Sequence, residues 1–348
     1  MSCIPRSSAL WSLLALMLTL APDASAGLGV GASSPIDPVK IPAVRNQDQV
    51  AASDNGSVSL FVWRDSRRGD DDLVAARVRH DGTVLDPNGI DLASGPGSQV
   101  EPAVAWDGSQ WLVAWTDTQG GSARVRAMRI SSAGALLDPA PIDLSNVGAV
   151  ASHPAVAWNG AVHIVVWSEL TTGPTVRRVM GATIDNSGNV RASVAAVTGS
   201  TSDDQPAIAA LGANALVVFR TARGGNDDID AVRVTAALPG GVITRLDALD
   251  FALVAQAASQ RDPAVASSGG AWLAAWQDER NLNTTGADIY GTRVTAAGAV
   301  QDAAGIAVTN SAGDDFAPAL EHDGARWLAM WTGADGQFVR AIANNGNP

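Results

Sequence analysis

One phrase, repeated six times at a nearly constant interval, constrains this 348-residue chain more than any other feature. Pro102-Ala-Val-Ala-Trp-Asp-Gly108 leads into Trp111-Leu-Val-Ala-Trp115, and Pro154-Ala-Val-Ala-Trp-Asn-Gly160 into Val162-His-Ile-Val-Val-Trp167. Pro206-Ala-Ile-Ala precedes Leu216-Val-Val-Phe219, Pro263-Ala-Val-Ala precedes Trp272-Leu-Ala-Ala-Trp276, and Pro318-Ala-Leu precedes Trp327-Leu-Ala-Met-Trp331. A degenerate copy runs from Val50-Ala-Ala-Ser to Leu60-Phe-Val-Trp63. The closing aromatics Trp63, Trp115, Trp167, Phe219, Trp276 and Trp331 fall 52, 52, 52, 57 and 55 residues apart. Such a period marks repeated supersecondary units, each burying its apolar face only against its neighbours.

Each copy reads as four short strands. The Pro-Ala-Val-Ala strand ends at an Asp-Gly or Asn-Gly turn suited to a tight hairpin. The second strand is apolar on both faces, as in Trp111-Leu-Val-Ala-Trp115, whereas a one-sided sheet would alternate with polar residues. A third strand runs through Val74 to Val78, Val125 to Ile130, Ile229 to Val234 and Ile289 to Val294, and a fourth through Gly89-Ile-Asp-Leu92 and Pro141-Ile-Asp-Leu144. No helix start with a sustained 3.6-residue period intervenes. The predicted fold class is therefore all-β, a six-bladed β-propeller of four-stranded antiparallel blades; an open β-solenoid would need capping ends. The last copy stops at Pro348 without a fourth strand, and Ile36 to Val44 resembles Leu85 to Leu92. This N-terminal strand is expected to close the last blade and remove the exposed edges of an open array.

The first residues read as a targeting signal. Arg6 supplies a positive start, Ala9 to Leu20 an apolar stretch too short to span a bilayer, and Ala24-Ser25-Ala26 a cleavage site. Residues 1–26 are thus the expected signal peptide and 27–348 a single propeller domain, secreted or periplasmic. No later stretch is apolar enough for a transmembrane segment. The single cysteine, Cys3, leaves with the signal, so no disulfide or thiol chemistry is expected.

The formal net charge of −12, with Lys40 the sole lysine and no basic run, disfavours nucleic acid and anionic membranes as partners. The four histidines lack metal-ligand spacing, and no nucleophile elbow or phosphate loop appears. No cofactor, metal or catalytic residue is assigned. The acidic clusters at Asp70 to Asp72, Asp203-Asp204, Asp227 to Asp230 and Asp314-Asp315 lack a calcium-loop pattern and read as solvated loop charge. Asp65 with Arg67, and Asp278 with Arg280, read as pairs tying one blade to the next.

Two groups of residues are candidates for binding. Gln49, Glu101, His153, Gln205 and Asp262 stand just before the first strand of five copies, where they are expected to ring a channel mouth. There the copies differ in chemistry while sharing geometry. Trp111, Trp272 and Trp327 stand four residues before their anchors and are candidates for stacking sugars, against inter-blade packing as the plainer reading.

The repeats resemble those of exported bacterial β-propeller proteins, in which Pro-x-Val-Ala-x-(Asp/Asn)-Gly leads to Leu-Val-x-Trp, then Asp-x-Arg, then Asp-Ile-Tyr-x-x-Arg-Val. Trp276-Gln-Asp-Glu-Arg280 and Asp288-Ile-Tyr-Gly-Thr-Arg-Val294 carry the resemblance best. It implies the architecture and no particular activity. Sialidases also have six blades, but no Ser-x-Asp-x-Gly-x-Thr-Trp box is present and Tyr290 lies in a repeat position. The leading expectation is a monomeric, non-catalytic interaction scaffold for an unknown protein or glycan. A lectin and a glycoside-active hydrolase at the channel mouth are the alternatives.

Overall fold

The computed structural model describes residues 47–348 apart from 172–175, 200, 201, 224 and 255. The signal and the closing strand expected at 36–44 lie outside the described residues. Every regular element described is a β-strand, in six antiparallel sheets, and the fold class is a six-bladed β-propeller. The chain divides into two compact units, Met1–Gly148 and Ala149–Pro348.

The first unit holds two blades. Blade 1 comprises β1 (Gln47–Asp54), β2 (Val58–Asp65), β3 (Asp72–Arg79) and β4 (Ile90–Ala93); blade 2 comprises β5 (Gln99–Trp106), β6 (Gln110–Asp117), β7 (Arg124–Ser131) and β8 (Ile142–Asp143). The second unit begins with blade 3, made of β9 (Val150–Trp158), β10 (His163–Thr171), β11 (Val176–Ile184) and β12 (Val190–Ala196). Blade 4 has β13 (Asp203–Leu211), β14 (Asn214–Arg223) and β15 (Asn226–Thr235), with its outer strand broken into β16 (Thr244–Arg245) and β17 (Phe251–Ala252). Both pieces pair with β15, and the residues between them take up part of the long 57-residue interval. Blade 5 has β18 (Gln260–Ser267), β19 (Ala271–Asp278), β20 (Asp288–Thr295) and β21 (Ile306–Ala307). Blade 6 has three described strands, β22 (Phe316–His322), β23 (Trp327–Gly333) and β24 (Gly336–Ile342).

The second strand of each blade is buried on both faces because its alternate residues serve two cores. On β14, Ala215, Val217 and Phe219 pack with blade 3, while Leu216 and Val218 pack with Trp272, Ala274 and Trp276 of blade 5. Trp111 and Trp115 enter a core with Leu60, Val62 and Leu73 of blade 1 in the same way. The indole N–H groups of Trp111 and Trp272 reach the first strand of the preceding blade, donating to the carbonyls of Ser53 (3.2 Å) and Ala209 (2.9 Å). Truncating such a buried ring costs on the order of 3–5 kcal/mol.

The pairs expected to tie blades together act locally. Arg67 pairs with Asp65, and Arg280 with Asp278 and the Ala304 carbonyl of its own blade. The ties between blades come instead from arginines on the third strands. Arg77 is held by Asp86 and donates to the Ser132 carbonyl of the next blade (2.8 Å). Arg233, held by Asp247, reaches Ala296 (2.9 Å), and Arg293, held by Asp302, reaches Asn344 (3.3 Å). The receiving turn must be bare: a Cβ on Gly134 would lie 2.7 Å from Arg77 Nε, and one on Gly298 2.7 Å from Arg233 Nε. Blade 3 has Thr183 at the equivalent position, and its hydroxyl donates to the Gly241 carbonyl (2.6 Å).

Candidate functional site

Each first strand contains a β-bulge, and in every blade two of its residues face the anchor aromatic alone. In the first unit, Gln49-Val50 faces Trp63 and Glu101-Pro102 faces Trp115. In the second, His153-Pro154, Gln205-Pro206, Asp262-Pro263 and Ala317-Pro318 face Trp167, Phe219, Trp276 and Trp331. The first residue of each bulge is left-handed, with φ of 51°, 56°, 54°, 50°, 51° and 52° from Gln49 to Ala317. Non-glycine residues held there cost of the order of 1–3 kcal/mol each, and such strain clusters at functional sites. Proline at the second position forgoes a ladder N–H where the ladder is already interrupted.

In the first unit, the amide of Glu101 donates to Gln49 Oε1 (2.9 Å), and Thr116 Oγ1 donates to Glu101 Oε2 (2.8 Å). Beside them Arg64 pairs with Asp48 and lies 3.5 Å from Asp71.

In the second unit, an ionic chain runs through blades 3, 4 and 5. Arg177 lies 3.6 Å from Asp204, which pairs with Arg220 (3.1 Å). Arg220 pairs with Asp227 (3.1 Å), Asp227 with Arg261 (2.8 Å), and Arg261 with Glu279 (3.1 Å). Burial alone would raise the Asp204 pKa. The Ser168 hydroxyl, the Gln205 amide, Arg177 and His153 outweigh it and hold the carboxyl below its ordinary range. Gln205 rests on this frame, its amide donating to Ser168 Oγ (3.0 Å) and Asp204 Oδ1 (2.9 Å), and its Nε2 to Asp262 Oδ1 (3.0 Å). His153 Nδ1 lies 3.0 Å from Ser152 Oγ and 3.8 Å from Asp204 Oδ1.

The five polar residues expected to precede the first strands thus lie within them, at the bulges. Trp111, Trp272 and Trp327 are 0%, 0% and 1% exposed. They have no free face for a sugar, and the stacking role expected for them is corrected to core packing. The acidic clusters also differ from solvated loop charge, because Asp72, Asp203, Asp204, Asp230 and Asp315 are buried. Sequence reasoning missed Arg177, Asp204, Arg220, Asp227 and Arg261 as a frame. One signal was present: each bulge residue precedes its anchor by 14 positions, and Asp48, Asp204 and Arg261 immediately precede theirs. Among the described residues, no group of three or more His, Cys, Asp or Glu is placed to hold a metal ion.

No family model matches the chain, and no curated protein matches it in sequence. Solved structures match it in fold. The GH93 α-L-arabinofuranosidase of Fusarium graminearum, solved with arabinobiose, is 11% identical at a TM-score of 0.56, over 85% of this chain and 94% of its own. The Trypanosoma rangeli sialidase, solved in complex with 2,3-difluorosialic acid as a covalent intermediate, is 11% identical at 0.53, over 85% of this chain. This chain covers 54% of the sialidase's length. At such identity the likeness is one of β-propeller fold. It corrects the expectation of a non-catalytic scaffold, because these neighbours are glycoside hydrolases and the architecture gives no ground for excluding catalysis.

Proposed function

We propose that this chain is an exported propeller that hydrolyses glycosidic bonds, with the Asp262 carboxyl on a bulge of the second unit as a catalytic acid or base. The observation that carries this reading is the placement of Asp262 on strained, left-handed backbone, its Oδ1 accepting from Gln205 Nε2 (3.0 Å). Glycoside hydrolysis needs one carboxyl group to protonate the leaving oxygen and another to act as base or nucleophile. The hydrogen bonds and guanidinium partners of Asp204 favour its ionised form. Asp204 therefore serves as a fixed anchor for Gln205. The arabinofuranosidase and sialidase of the same fold lend support by showing what this architecture hosts.

The repeat phrases and the residues up to Ala26 support the finer reading of an exported bacterial propeller, cleaved before Gly27. The test is release of chromophore from a panel of aryl glycosides, pentofuranosides included, by the mature protein. Asp262→Asn should lower kcat by at least 100-fold with little change in melting temperature. A panel that stays uncleaved, or an Asp262→Asn variant as active as the parent, would overturn the proposal. N-terminal sequencing of the exported protein checks cleavage.

A further inference from the structure

We infer, resting on the glycoside reading above, that the second-unit site takes uncharged sugars and discriminates against acidic ones. Recognition of a sugar carboxylate draws on guanidinium groups able to form paired hydrogen bonds with it. Three arginines stand beside the bulges of this unit, and each is already committed to a carboxylate of the protein: Arg177 to Asp204, Arg220 to Asp204 and Asp227, Arg261 to Asp227 and Glu279. With Asp262, four carboxylates face these three guanidiniums, so the site's formal balance is negative before any ligand arrives. An anionic sugar would have to displace a resident carboxylate and leave it among like charges. A neutral sugar needs hydroxyl partners instead. His153, Gln205 and Asp262 are groups of that kind, side chains able to donate to or accept from a hydroxyl.

The fold does not decide this question, because its neighbours include an arabinofuranosidase solved with a neutral disaccharide and a sialidase solved with an acidic sugar. The protein's net charge of −12 acts in the same direction, repelling polyanionic glycans at long range.

The test is calorimetric titration of the intact mature protein with neutral arabino-oligosaccharides and with oligogalacturonides and sialyllactose of similar length. Neutral oligomers should bind at least tenfold more tightly. Asp227→Asn releases guanidinium groups of Arg220 and Arg261, and should raise affinity for the acidic oligomers several-fold relative to the neutral ones. Acidic sugars binding the parent as tightly as neutral ones would overturn the inference and leave the hydrolase reading standing. An unaltered preference in a folded Asp227→Asn protein would overturn the part assigned to the ion pairs. Failure of every oligosaccharide to bind or be cleaved would overturn the glycoside reading, and the inference with it.

Discussion

Asp315 occupies the space that a side chain on Gly333 would require, since a Cβ there would lie 2.8 Å from Asp315 Oδ1. In the other blades the corresponding cross-strand pairs are Gln47–Asp65, Gln99–Asp117, Ala151–Glu169, Asp203–Thr221 and Gln260–Asp278. Each blade thus keeps one buried carboxylate at this place, on its first strand or its second. In three blades the carboxylate accepts the anchor indole N–H: Trp167 to Glu169 (2.9 Å), Trp276 to Asp278 (2.9 Å) and Trp331 to Asp315 (3.1 Å). The acid moves to the other strand in blade 6, and glycine makes room for it.

Asp315 gives a pH test. Burial, and secondarily the Asp288 carboxylate, push its pKa above the ordinary 3.8, against hydrogen bonds from Thr309 and Trp331. A raised pKa contributes stability that is present below 3.8 and lost as pH rises through the folded value. Asp315→Asn keeps an acceptor for Trp331 and removes the charge. Relative to the parent it should melt higher at neutral pH, and the gap should close below pH 4. Asp315→Ala strands the indole N–H and should cost roughly 1–3 kcal/mol at any pH. Thermal melts across pH 3–8 check both.

Asp204 should show the opposite sign. Its pKa lies below 3.8 despite burial, so its contribution is present above that value and lost as pH falls through the folded one. Asp204→Asn leaves Arg177 and Arg220 short of a partner. Both arginines are partly solvated, so the loss near pH 7 should be about 1–2 kcal/mol rather than that of a fully buried pair. Denaturant unfolding at pH 7 and pH 3 should show the difference between parent and variant shrinking with acid.

The inter-blade arginine can be isolated with two glycines. Gly134 and Gly108 both have positive φ, 84° and 96°, but a Cβ on Gly108 would meet nothing within 4 Å. Both alanine variants pay roughly 1–2 kcal/mol of backbone strain. Gly134→Ala should cost about 1 kcal/mol more, because Arg77 must leave its seat. In an Arg77→Ala background that excess should vanish, a coupling that a double-mutant cycle in urea reads directly.

Ala317 isolates the strain of the bulge. It is left-handed like the other five, with a methyl group as its side chain. Ala317→Gly should stabilise the protein by roughly 0.5–1 kcal/mol if relief of strain exceeds the entropy glycine adds to the unfolded chain. A melting temperature below the parent's would show that the neighbouring packing favours the methyl.

Much of this architecture was legible because packing is periodic. The anchors Trp63 to Trp331 announce the blades, and double-sided burial of Trp111 to Trp115 announces stacked sheets rather than a one-sided one. The bulge was located within a residue or two but misread as lying outside the strand, since Pro102 and its equivalents suggested a strand start. Hydrophobic pattern cannot reveal a left-handed glutamate. The Arg77–Asp86 staple was hidden because its partners are nine residues apart across a turn, whereas Asp65 and Arg67 sit two apart and drew attention to a local contact. The frame around Asp204 joins residues from three blades and leaves no compact signature in the chain.

The bulges also make the protein a convenient object for directed variation. At each one the backbone is set by the anchor aromatic opposite and, in five blades, by the following proline, so the fold does not depend on the identity of the first residue. Nature's own six choices, two glutamines, a glutamate, a histidine, an aspartate and an alanine, already span charge, size and hydrogen-bonding character. A library randomised at these positions alone would alter surface chemistry in six registered places while the cores stay untouched. Selecting from it for binding to new ligands would turn a duplicated scaffold into a programmable one.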